Sequence, residues 1–352
     1  MRMKRHLLCV VWGLSLLLVG QPGFAWDEAR FTQKKTMAYS YALPDGQENG
    51  QIKTVIGSPR TYTVQTKDTL LDIARYFDLG FNEIRAAHPQ LDTWLPEVGS
   101  EIRLPTFWVL PKTRSAGVNI VVNIPEMRLY YFPTRAKHGA QALAMTYPVG
   151  LGREDWPTPQ TPFRIRGKTA NPTWVIPQSI RQERIQEKGW SETSIPGGSP
   201  ANPLGKFRLE LSLSQASGAY AIHGTNNPWA VGRMVTHGCI RLYPEDIARF
   251  FELVPVGSSG ELTYQPVKVG MQHGRVYVEV HADIYGLVDD PWADAQRVVQ
   301  DSGWAHLVDP ARLLRALREQ SGVPVDVTAE PLTALWDDDR PGKGNVIPEH
   351  GK

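Results

Sequence analysis

The sequence predicts a mainly β fold: an antiparallel β-sandwich domain, a small strand–helix–helix–strand unit ahead of it and a helical extension behind. Three observations carry that prediction. Apolar residues recur with a period of two in short runs from residue 118 onward. Val118, Ile120, Val122 and Ile124, for example, alternate with Asn119, Val121 and Asn123, the pattern of a strand with a buried face. Long loops join these runs, and the 28 prolines and 31 glycines suit many turns more than a helical bundle. Helical spacing is confined to a few segments, the clearest being Leu70, Ile73, Ala74 and Phe77 at i, i+3, i+4 and i+7.

Residues 1–25 are read as a targeting segment. The basic start MRMKRH precedes the apolar run LLCVVWGLSLLLVG, and QPGFA follows with Gly23 and Ala25 at positions −3 and −1. That is the layout of a secretory signal peptide cleaved after Ala25, and the run is shorter than the ~20 residues a spanning helix needs. Cleavage would leave 35 of the 38 basic residues against 36 acidic ones, taking the formal charge from +2 to −1, so no nucleic-acid partner is implied. It would also remove Cys9 and leave Cys239 as the lone cysteine. Exported proteins normally pair their cysteines, so a lone thiol calls for burial or a task.

A polar stretch to about Pro59 is expected to be extended. In residues 61–106, YTV reads as a strand, Thr69 and Asp72 are spaced as a capping box before the helix, a second short helix starts near Asn82, and EIRL returns as a strand. This unit, with its TVQTKDTLLDIARYF core, resembles a LysM module, a resemblance that implies binding to glycans containing N-acetylglucosamine. PKTRSAG (111–117) reads as a linker. Strands then dominate 117–270 and continue to about 285. Within that region Pro244 opens a helix whose Ile247, Phe250, Phe251 and Val254 share a face. Residues 286–330 read as two helices, and 331–352 as a disordered tail.

The chemistry is concentrated in AIHGTNNPWAVGRMVTHGCIRLYP (221–244). Cys239 has three readings on residue types alone: a small buried hydrophobe, a metal ligand with His223 and His237, or a nucleophile. The second is thin, because zinc wants three or four donors and the chain has neither C-x-x-C nor H-E-x-x-H. The third needs a neighbouring imidazole, since a free thiol near pKa 8.5 is only a few per cent ionised at neutrality. Gly238 beside the thiol would let backbone approach a substrate carbonyl, and consecutive N–H groups there could hold an oxyanion.

His223, followed by a loop and then Thr236, His237, Gly238, Cys239, Ile240 and Arg241, resembles the signature of the L,D-transpeptidase (YkuD-type) catalytic domain. Thr236 stands where the motif takes Ser or Thr. The likeness extends to NIPEMRLYYFP, YPVGLG, ANPTW and NPLGKFRL. A LysM module ahead of such a domain is similar to the Gram-negative enzymes that link peptidoglycan stems to each other or to an outer-membrane lipoprotein, which implies a periplasmic location. The resemblance implies a cysteine acyltransferase. Cys239 attacks the carbonyl between meso-diaminopimelate and D-alanine of a tetrapeptide stem, D-alanine leaves, and an amine of another stem or of a lipoprotein lysine resolves the thioester. His223 is the implied general base and acid, a backbone carbonyl such as that of Gly224 its orienting group, and the N–H groups of Gly238 and Cys239 the oxyanion donors. No cofactor or metal is implied.

Weaker expectations attach to neighbours. His237 either contacts substrate or braces the turn, and Thr236 either shapes the turn or has a catalytic role. Arg241 either grips substrate carboxylates or forms a structural salt bridge. Asn227 and Trp229 are candidate substrate-binding residues in a lid. Trp156 and Trp174 read as core or loop anchors, and RQERIQEKG as a solvated helix face. Two other functions fit: a carboxypeptidase or hydrolase of the same fold, or a non-catalytic peptidoglycan-binding protein whose β-domain is a relic.

Overall fold

The computed structural model describes residues 28–330 apart from 35–36, 44–51, 115–116, 135–140 and 217–218. The expected signal peptide and C-terminal tail lie outside the described residues. The strands of the main sheet are β1 (Ala38–Ala42), β2 (Ile120–Asn123), β3 (Arg128–Thr134), β4 (Gln141–Pro148), β5 (Thr161–Ala170), β6 (Phe207–Leu213), β7 (Ala221–His223), β8 (Ile240–Arg241) and β9 (Ser259–Thr263). They lie in the order β1-β4-β3-β2-β9-β5-β6-β7-β8. This corrects the expectation of two stacked antiparallel sheets: the domain is built on one nine-stranded mixed sheet, with β2–β9 and β7–β8 paired in parallel. Parallel pairing needs a crossover, and between β7 and β8 the crossover is the loop that joins His223 to Cys239. Alternation within a strand says nothing of partner direction.

One face of the sheet carries the main core, where Ile120, Val122, Leu129, Tyr147, Phe163, Leu209, Ile222 and Ile240 pack with Ile247 and Phe250. The last two belong to the helix Pro244–Leu253, which starts at the predicted proline with Glu245 and Asp246 in its first turn. The intervening residues of β2 and β3, Val121, Tyr130 and Phe132, face the other way into a second core. There they meet Leu70, Ile73, Ile84, Ile102, Leu104 and Trp108 of the N-terminal unit.

That unit runs strand Arg60–Thr63, helix Leu70–Tyr76, helix Phe81–Ala87 and strand Glu101–Leu104, the two strands pairing antiparallel. Thr69 caps the first helix by accepting from Asp72 N at 3.1 Å. The Thr69 hydroxyl also donates to the Asp72 side chain at 2.6 Å, a side-chain contact where the expected box has a bond from the Thr69 backbone N–H. The polar stretch ahead of it is not simply extended: Glu28–Gln33 forms a helix, and β1 joins the edge of the main sheet against β4.

The C-terminal region also differs from expectation. Strands β10 (Val267–Gln272), β11 (Arg275–Val280) and β12 (Val325–Asp326) form a separate antiparallel sheet. The helices Pro291–Ser302 and Pro310–Glu319 pack on it through Ala295, Val299, Leu313 and Ala316. The strands assigned to the catalytic domain beyond Pro266 therefore belong to this unit, because their apolar faces are covered by the helices that follow them.

A buried lysine joins all three units. Lys268 Nζ lies 2.8 Å from Glu126 Oε2 beside the turn between β2 and β3, 2.9 Å from Glu279 Oε1 in β11, and donates to the Val109 carbonyl of the N-terminal region at 2.7 Å. His281 completes the cluster at 2.7 Å from Glu279. Glu126, Glu279 and His281 have ligand atoms close enough to hold a metal ion, but the ammonium of Lys268 already occupies the position of positive charge between the carboxylates.

Candidate active site

Three adjacent strands place the site. Antiparallel pairing sets Arg208 of β6 opposite His223 of β7, and parallel pairing sets His223 opposite Arg241 of β8. The imidazole thus lies in a row between two guanidinium-bearing positions, about one strand spacing of 4.7–4.9 Å from each. Cys239 immediately precedes β8. His223, Cys239, Arg208, Arg241 and Tyr220 all line one groove of about 860 Å³.

His223 is buried, and its Nδ1 lies 2.7 Å from the Gly224 carbonyl. A carbonyl can only accept, so Nδ1 carries the proton and Nε2 keeps the lone pair. Burial, then the charge of Arg241, push the imidazole down to about 3, with Arg208 adding to the effect. It is therefore neutral near pH 7. The Cys239 thiol is pushed up by burial, against weaker opposing pulls from a hydrogen bond at Ala221 and from Arg208 and Arg241. The sulfur contacts the Ala219 carbonyl at 3.7 Å instead of the imidazole. Burial thus favours the neutral form of both the thiol and the imidazole. Catalytic hydrogen bonds often tighten only once substrate binds.

The turn carrying the thiol is tightly specified. Gly238 has φ 95°, and a Cβ there would lie 2.7 Å from the Tyr220 ring. Thr236 Oγ1 donates to the Cys239 carbonyl at 2.7 Å, and Thr158 Oγ1 donates to the Gly238 carbonyl at 3.1 Å. Thr236 thus closes the turn on itself.

His237 is held by the groove wall. Its Nε2 meets Glu183 Oε2 at 2.7 Å, and its ring packs edge-on against Trp156 with centroids 5.0 Å apart. Glu183 also accepts from Arg153 at 2.8 Å. Arg153 and His237 hold its carboxyl below the usual range. Glu183 lies on the helix Gln178–Lys188, within an excursion closed at its base by Trp174–Val175 pairing with Ser194–Ile195. Trp174, Ile180, Glu183 and Arg184 of this excursion line the groove, as does Trp156. Glu183 and Arg184 of the segment read as a solvated helix face, and the tryptophans read as anchors, are therefore groove wall, while Gln182, Ile185 and Gln186 stay exposed. A short polar helix has no sequence signal for what lies beneath it.

Two expected substrate contacts are not brought to the groove. The backbone N–H and carbonyl of Asn227 are engaged with the Thr225 hydroxyl, and Trp229 stacks edge-on with Trp94 of the N-terminal unit, centroids 5.4 Å apart, while remaining 53% exposed. Arg241 has no salt bridge among the described residues, and its buried Nε lacks a hydrogen-bond partner. Arg208 was not singled out by sequence; only its cross-strand register with His223 shows it.

Residues 117–269 match the family model described as YkuD, L,D-transpeptidase catalytic domain. The protein of Salmonella typhimurium named Probable L,D-transpeptidase ErfK/SrfK is 31% identical over 84% of this chain and 93% of its own length. That of Escherichia coli K12 named Probable L,D-transpeptidase YbiS is 32% identical over 82% and 92%. The NMR structure of the catalytic domain from E. faecium L,D-transpeptidase is 16% identical over 43% of this chain and all of its own, with a TM-score of 0.29. The chain belongs to the L,D-transpeptidase family.

Proposed function

We propose that this L,D-transpeptidase is exported to the periplasm and remodels peptidoglycan through a thioester on Cys239. The observation that carries the reading is that Cys239 and the buried His223, its Nδ1 fixed by Gly224, line one groove from neighbouring strands. In this reading the stem's carbonyl between residues three and four enters beside Cys239. His223 Nε2 takes the thiol proton as sulfur attacks, the N–H groups at Gly238 and Cys239 hold the oxyanion, and the imidazolium returns the proton to the leaving D-alanine amine. An acceptor amine then gives its proton to Nε2 and displaces the thiolate, forming a 3-3 cross-link or a bond to a lipoprotein lysine. The N-terminal unit acts as a LysM-type glycan anchor that raises the local concentration of stems.

Mass spectrometry after incubation with a carbapenem tests the nucleophile. One adduct on Cys239, absent from Cys239→Ala, is expected, and an unlabelled native protein would overturn the enzyme reading in favour of a binding protein. His223→Ala, folded by circular dichroism, should lose nearly all turnover of disaccharide-tetrapeptide, and substantial residual turnover would place the base elsewhere. Muropeptide analysis with and without a lysine-terminated peptide assigns the acceptor.

A further inference from the structure

The segment that carries the thiol is held from outside its own domain. Ahead of Cys239, the Phe81 N–H, at the start of the helix Phe81–Ala87, donates to the Val231 carbonyl at 3.2 Å. The Arg233 guanidinium lies over the Phe81 ring, 3.7 Å from its centre, and the buried Nε of that arginine has no hydrogen-bond partner. The negative face of the ring thus stabilises a cation that is otherwise poorly compensated. Gly232 between them has φ 78°, and a Cβ there would lie 2.3 Å from Phe81 N, so the two backbones are in direct contact. Beyond Cys239, the hydroxyl of the buried Tyr243 donates to the Leu79 carbonyl at 3.0 Å, and Glu245 accepts from Arg75 at 3.0 and 2.9 Å. The N-terminal unit therefore grips residues 231–245 on both sides of the nucleophile.

The leads from this grip to the reacting groups are short. Met234–Thr236, directly after Arg233, pairs with Leu151–Gly152 and runs into the turn that ends at Cys239. Leu242, directly before Tyr243, donates its N–H to the His223 carbonyl at 2.9 Å. A displacement at Arg233 is carried along an extended strand to the thiol, and one at Tyr243 reaches the backbone of the base. The sulfur rests on the Ala219 carbonyl and not on the imidazole, so backbone supports, not a bond between the two side chains, set their relative placement. We infer that Phe81 and Tyr243 are positioning residues for acylation: through them the N-terminal unit fixes residues 231–245, and with them the place of Cys239 against His223. The inference rests on the transpeptidase reading of that pair. It gives the N-terminal unit a part in the chemical step beyond anchoring, because about 1 Å of misplacement at a reacting atom costs on the order of 100-fold in rate.

The test follows acylation of Cys239 by a carbapenem in the full-length protein over a range of concentrations, which separates the maximal rate from the half-saturating concentration. Phe81→Ala should lower the maximal rate by about 10-fold or more and leave the half-saturating concentration within about 3-fold of the wild type. Phe81→Tyr keeps the ring face and should restore the rate to within about 3-fold. Phe132→Leu weakens the packing of the same unit on the back of the sheet, away from the nucleophile segment; it should lower Tm and leave acylation unchanged. Tyr243→Phe removes one hydroxyl and no bulk, so it decides the matter if Phe81→Ala does not fold, and a loss of about 5-fold or more is expected. A folded Phe81→Ala or Tyr243→Phe acylated within about 2-fold of the wild-type rate overturns the inference. So does a Phe132→Leu slowed as much as Phe81→Ala, since loss of stability alone would then account for both. A wild-type protein that takes no label on Cys239 overturns the transpeptidase reading instead.

Discussion

His223 is neutral because its surroundings offer a proton no compensation: it is buried and faces two guanidinium charges. Its value of about 3 in the folded chain lies below the ordinary 6.5, so the unfolded chain takes up a proton first as pH falls. The stability this contributes is complete above about pH 6.5 and is lost progressively toward pH 3. His223→Gln should show a shallower fall of Tm between pH 6.5 and 4 than the wild type, and parallel curves would assign the acid sensitivity to other groups. Gly238→Ala adds a Cβ at φ 95° against the Tyr220 ring. Strain of about 1–2 kcal/mol is expected, together with slower acylation of Cys239, read by denaturant unfolding and carbapenem labelling.

Among the elements, the excursion from Trp174 to Ile195 is fastened to the nucleophile turn by Glu183, through His237 and Arg153. The three side chains are partly exposed, so the tie contributes little to global stability, about 0–1 kcal/mol per pair. Glu183→Ala should leave Tm nearly unchanged while amide exchange in Gln178–Lys188 speeds up and KM for the donor rises. Unchanged exchange would mean that the helix is held by packing alone. The helix Leu70–Tyr76 is anchored differently. Arg75 donates to both oxygens of the buried Glu245 at 3.0 and 2.9 Å, and Lys34 lies 3.6 Å from the same carboxylate. Arg75→Ala leaves Glu245 with Lys34 alone. A loss toward the lower end of about 3–5 kcal/mol is expected, partly recovered in the double variant with Glu245→Gln, as measured by urea unfolding.

For the molecule as a whole, the N-terminal unit is structural as well as appended. It covers Val121, Tyr130 and Phe132 of the main sheet, and Glu83 pairs with the fully buried Arg128 at 2.6 Å. A chain lacking residues 28–106 would expose that apolar face and leave Arg128 unpaired. It is expected to melt well below the full chain or to aggregate, as read by thermal denaturation and light scattering. A soluble truncated chain melting within about 2 °C of the parent would show that the interface adds nothing to stability. Lys268 ties the C-terminal sheet into the same junction, so the three units are expected to unfold together.

The helix at Pro244 and the strand–helix–helix–strand order of the N-terminal unit were legible because each depends on neighbours within a few residues: a turn, a cap, an apolar period. Local pattern does not encode register between strands, so it could not place Arg208 and Arg241 on either side of His223. Nor could it set Glu183 beneath the turn of His237, or keep Trp229 out of the groove. It also left open whether the strands made one mixed sheet or two, since a period of two is the same for either partner direction. Sequence alone thus singled out Cys239 and His223, which the fold brings to one groove. Which charges surround them, and what covers the back of their sheet, was decided by tertiary structure, because those contacts join distant segments, 45 residues apart for Glu83 and Arg128 and 54 for Glu183 and His237, whose pairing no local spacing records.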